Sequence, residues 1–108
     1  MSRTTPTFVQ SLTTQQPSRQ WVERKLALQA LGVVAALEAG QIDAEKAGSD
    51  LFNLDNYNAI RRRRPSAELR ELFEWGMELE DVAVLAPTNI AESLAAIRRL
   101  AGEVLKRG

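Results

Sequence analysis

A chain of 108 residues, 44% of them hydrophobic and 26% charged, is long enough to bury one hydrophobic core and too short to divide between two. Fourteen lysines and arginines balance fourteen aspartates and glutamates, so no net field draws the chain to nucleic acid or to a membrane surface. The lack of histidine and cysteine removes the commonest general base, the commonest transition-metal ligand and any disulfide frame, and points to a reducing, cytoplasmic setting.

Residues 1–18 are crowded with Ser, Thr, Gln and Pro, a composition that cannot build a core, and read as a flexible or loosely docked N-terminal arm. Phe8, Val9 and Leu12 are the exceptions, suited to pinning the arm into a groove or engaging a partner. The helical domain is expected over 19–108.

Ser18 is placed to cap a first helix by accepting from a free backbone N–H, and Gly40 to end it in left-handed conformation. From Ala30 to Leu37 this helix is apolar all round, which suits the middle of a bundle or an oligomer interface, so it is expected to be the central one. Gly32 and Ala36, one turn apart, leave a shallow groove where another helix could pack closely. The apolar stretch Leu26–Leu37 contains Gln29 and falls well short of the ~20 residues that cross a bilayer. It follows a long polar arm, unlike the apolar core of a secretory leader, so a soluble cytoplasmic protein is expected.

A short second helix follows, with Asp43 as N-cap and Ala47 and Leu51 facing inward, ending near Asn53. Asp55, Asn56 and Asn58 are turn formers, and the stretch around Tyr57 reads as a loop or a single irregular turn. Pro65 forces Arg64 out of the helical region, so the run Arg61, Arg62, Arg63, Arg64 is expected to end in extended backbone. Ser66 caps a third helix with Leu69, Leu72, Phe73 and Met77 inward and Gly76 as a weak point; the segment up to Pro87 either continues it or forms a second piece. The fourth helix is capped by Thr88 or Asn89, with Glu92 able to close a capping box, and turns Ile90, Leu94, Ile97, Ala101, Val104 and Leu105 to one face. The fold class is all-α, a small four-helix bundle-like domain.

No phosphate loop, nucleophile elbow or zinc spacing occurs, and no catalytic, cofactor or metal residue is assigned. Glu71, Glu74 and Glu78 share one face of the third helix, but carboxylate metal sites in bundles add Glu-x-x-His pairs that this chain lacks, so they read as the wet face. The arginine run admits three readings. Its guanidinium groups are solvated or paired with acids such as Glu68 or Asp55, or they meet an acidic protein partner, or they bind phosphates. A pI of 6.3 argues against the last. Trp21 and Trp75 read first as core bulk and second as interface anchors.

The stretches LEAGQIDAEKAGSDLF and EWGMELEDVAVLAP resemble small bacterial helical proteins of unknown function, some of them immunity-type. That resemblance implies an interaction protein and attaches no role to particular residues. Taken together, the expectation is a non-enzymatic protein–protein interaction module using Arg61, Arg62, Arg63, Arg64 and Trp75. The Glu71, Glu74 and Glu78 face is the opposite-charge counterpart, which makes a homodimer one form of the partnership. The alternative is a nucleic-acid accessory protein using the arginine loop.

Overall fold

The computed structural model describes Val9 and residues 18–107. Among these the chain is all-α, with helices α1 (Arg19–Glu38), α2 (Ala44–Asp50), α3 (Leu54–Arg61), α4 (Ala67–Met77), α5 (Leu79–Leu85) and α6 (Ile90–Arg107), and a 3₁₀ turn (Pro87–Asn89) leading into α6. The arm expected over residues 1–18 lies outside the described residues except for Val9 and Ser18. Val9 is fully buried, in a cleft lined by Val22, Leu26, Ile60 and Leu69, and its N–H donates to Asn56 Oδ1 at 3.4 Å.

The helix starts follow from their cap residues. Ser18, Asp43 and Ser66 each stand in extended backbone, and their side-chain oxygens accept from Trp21, Lys46 and Leu69 N–H respectively. Gly40, at φ 72°, ends α1 in the left-handed region. The fourth helix departs from expectation at its entry. The 3₁₀ turn brings the chain in, with Asn89 N–H donating to the Ala86 carbonyl at 2.8 Å, where an extended cap residue was expected.

The stretch expected as a loop around Tyr57 is instead α3. Asn53 takes the cap position and accepts from Asn56 N–H at 2.9 Å, Asp55 sits in the positively polarised first turn, and Ala59 and Ile60 turn into the core. Asn56 is almost wholly buried, and its amide donates to the Leu51 carbonyl at 2.9 Å while its oxygen receives Val9 N–H. The side chain that looked like a turn former therefore ties three segments together. The segment before Pro87 forms the separate piece α5, offset from α4 at Glu78, so α3 and α5 join the four expected helices.

The central helix is α6, which packs against both α1 and α4. Its buried arc is wider than the expected stripe because Ser93, Ala96 and Leu100 are buried beside Leu94, Ile97, Ala101 and Val104. The first helix, expected at the centre, lies at the edge: Val22, Leu26, Ala30, Val33 and Val34 face inward, whereas Trp21 and Leu28 are exposed on its outer side. An all-round apolar sequence was compatible with either position, and the broader arc of α6 decided it.

Phe52, just past α2, packs edge-on to Phe73 with ring centroids 5.5 Å apart. Its ring lies directly over Gly76, where a Cβ would stand 2.2 Å from Phe52 Cδ1. The residue that weakens α4 in isolation is thus the one that admits the ring. Glu23 of α1 makes the other long-range tie. It is nearly buried and accepts from Ser66 N–H at 2.9 Å, from Ser66 Oγ–H at 2.7 Å and from Arg19 Nε at 3.1 Å, fixing the start of α4 against α1.

Candidate functional site

The four arginines wind around the C-terminal end of α3. Arg61 is its last residue, Arg62 caps it in right-handed conformation, Arg63 N–H donates to the Ile60 carbonyl at 2.9 Å, and Arg64 N–H donates to the Arg61 carbonyl at 3.3 Å. Arg64 is not extended. Its φ is 53°, the left-handed value, and it is the only non-glycine residue with positive φ among those described. Pro65 does keep Arg64 out of the right-handed helix, but the chain must also reverse at the end of α3 to start α4, and the left-handed turn accomplishes both. A side chain there costs about 1–2 kcal/mol that glycine would not incur.

All four guanidinium-bearing residues are exposed at the negative end of the α3 dipole. They differ in what they touch. Arg61 stacks over the Tyr57 ring, its guanidinium carbon 5.8 Å from the centroid. Arg63 borders the Val9 cleft together with Arg19, Glu23 and Pro65. Arg62 and Arg64 make no side-chain hydrogen bond or ion pair among the described residues. Of the acids expected to pair with the run, Glu68 is taken by Arg107 and Asp55 makes no ion pair among the described residues; Arg98 pairs with Glu38. Arg19 is held by Glu23, and Arg24 donates to the Leu105 carbonyl at 3.0 Å. The arginines at helix–helix seams are engaged, whereas Arg62 and Arg64 of the run, like Arg70 and Arg99, make no side-chain hydrogen bond or ion pair among the described residues.

The acidic residues lie close to the run within one chain. Glu71 and Glu74 are exposed along α4, and Glu78 marks its end. Glu74 accepts the Tyr57 hydroxyl proton at 2.7 Å, so the ring beneath Arg61 is anchored to the acidic face. That bond, partial burial and the Glu74 charge hold the Tyr57 hydroxyl above its ordinary pKa against the opposite pull of Arg61 and Arg70. Trp75 is half-buried against the core, as a residue serving packing would be. Trp21, read first as core, is 42% exposed on α1 with Lys25 Nζ 5.6 Å from the ring centroid. Among the described residues no group of three acidic side chains is placed to hold a metal ion, and no helix is long and apolar enough to cross a membrane.

Sequence reasoning missed three features. The exposure of the α1 outer face was hidden by its all-round apolar composition. The burial of Glu23 and Asn56 was hidden because polar residues carry no periodic core signal; a glutamate falling on the inward side of α1, opposite Trp21, was the clue available.

A family model described as a protein of unknown function, DUF3969, matches residues 17–108, and the chain belongs to that family. No curated protein and no solved structure matches it.

Proposed function

We propose that this DUF3969 member is a non-enzymatic interaction module that uses the arginine turn after α3 to hold an acidic segment of a protein partner. One observation carries the reading. Arg62 and Arg64 stand exposed and unengaged among the described residues, and Arg64 occupies a left-handed position that a glycine would fill with less strain. A strained residue with an unused functional group is the combination that a contact site carries. Guanidinium groups fork onto carboxylates, forming short charge-assisted hydrogen bonds. Arg61, braced on Tyr57, supplies a fixed edge beside them, and Arg63 continues the surface toward the Val9 cleft.

An acidic protein is favoured over nucleic acid because the chain has no net positive charge to spread along a phosphate backbone. A chain without histidine or cysteine also has few groups for acid–base or nucleophilic chemistry, and it suits the cytoplasm. The test is capture from native extract, with and without nuclease treatment, on wild type and on the Arg62→Ser/Arg64→Ser variant. A protein held by wild type and released by the variant supports the reading. Equal retention, or retention that disappears on nuclease treatment, contradicts it.

A further inference from the structure

A second surface points to a different partner, and its argument does not depend on the arginine turn. The outer face of α1 and its C-cap residue carry Trp21, Lys25, Leu28, Gly32, Ala35 and Ala39, all exposed, at intervals of four, three, four, three and four residues. That alternation is the seam spacing of a coiled coil. Trp21 is 42% and Leu28 49% exposed, large values for apolar side chains on a helix 20 residues long. Among the described residues, no atom outside the local helix backbone lies within 4 Å of where a Cβ on Gly32 would stand, so none of them fills the groove there.

The order of sizes along this seam says what covers it. The bulky residues Trp21, Lys25 and Leu28 occupy its N-terminal half, and the small ones Gly32, Ala35 and Ala39 its C-terminal half. An antiparallel copy of α1, related by a two-fold axis at the level of Ala30, sets Trp21 over Ala39, Lys25 over Ala35 and Leu28 over Gly32, each pairing made twice. Every large side chain then meets a small one. A parallel pair would stack tryptophan on tryptophan and lysine on lysine and leave Gly32 against Gly32, combining like-charge repulsion with a void. The Lys25 ammonium stands over the Trp21 ring, its Nζ 5.6 Å from the centroid, so the two side chains form one bulky unit at this end of the seam. We infer that the protein forms a closed homodimer through antiparallel packing of the α1 outer faces.

Analytical ultracentrifugation of the full chain should give twice the 12.0 kDa chain mass. Gly32→Glu should halve that mass while the circular dichroism spectrum stays helical, because the position is open among the described residues. The lack of native cysteine permits a direct test of orientation. Chains carrying Lys25→Cys and chains carrying Ala35→Cys, mixed and oxidised, should cross-link mainly to each other. In the antiparallel pair two copies of position 25 are about 15 Å apart along the axis, too far for a disulfide. A monomeric wild type, a dimer untouched by Gly32→Glu, or predominant cross-linking of the Lys25→Cys chain to a second copy of itself would each overturn the inference.

Discussion

Replacing Gly76 by alanine should destabilise the protein, against the expectation from helix propensity. In an open helical position the change gains about 1 kcal/mol. At Gly76 the new methyl carbon would stand 2.2 Å from Phe52 Cδ1 and 2.3 Å from Cγ, whereas ordinary contact begins near 3.4 Å. The ring must therefore retreat by more than an ångström. It has little room, since Phe52 is 3% exposed and sits edge-on to the fully buried Phe73. Overpacking of such a core costs about 1–3 kcal/mol, and this site belongs at the upper end. The net loss is about 2 kcal/mol, or a fall in Tm on the order of 8–16 °C for a domain of this size. Thermal unfolding followed by circular dichroism at one fixed protein concentration measures it. Gly102→Ala is the control: among the described residues no atom outside the local helix backbone lies within 4 Å of its Cβ position, so it should keep the propensity gain and raise Tm by about 4–8 °C. In a Phe52→Leu background the cost of Gly76→Ala should shrink. A Gly76→Ala protein as stable as the Gly102→Ala protein would refute the packing argument.

Glu23→Gln keeps the shape of the side chain but replaces one carboxylate oxygen with a donor facing Ser66, so it should lower stability by about 1–3 kcal/mol in urea unfolding. An unchanged midpoint would mean that the bridge between α1 and α4 contributes nothing. The Tyr57–Glu74 bond predicts a dependence on alkaline pH. Because the folded hydroxyl pKa is raised, the bond's contribution is complete below the unfolded pKa of about 10 and is lost as pH rises through the higher folded value. Stability should therefore fall more steeply above about pH 10 in wild type than in Tyr57→Phe, and parallel curves would contradict the assignment.

The parts of the fold legible in the sequence were those fixed by local chemistry. Ser18, Asp43 and Ser66 announce helix starts because a short side chain before an apolar-periodic run has an orphan N–H to satisfy, and each does so. Gly40 announces a stop for a matching reason. The inward positions Leu94, Ile97, Ala101 and Val104 followed from period alone. What was hidden depended on distant partners. Asn56 signals a turn locally, yet its tertiary bonds to Leu51 and Val9 place it in a helix. The position of α1 could not be read from its own sequence, because only the breadth of the α6 arc left one of its faces uncovered. Of the candidate site, residue identities and local charge were visible. The left-handed Arg64 and the pairing of Glu68 with Arg107 were not, since both arise from how α3, α4 and α6 meet.

The most direct test of the interaction reading uses Arg64→Gly and a labelled peptide of consecutive glutamates, with a single-stranded oligonucleotide of equal length as comparison. Glycine relieves the left-handed strain, so the variant should unfold at the same temperature as wild type or higher. Its affinity for the acidic peptide, followed by fluorescence anisotropy, should nonetheless drop several-fold, and wild type should prefer the peptide to the oligonucleotide. Unchanged peptide binding in the more stable variant, or a wild type that prefers the oligonucleotide, would contradict the account.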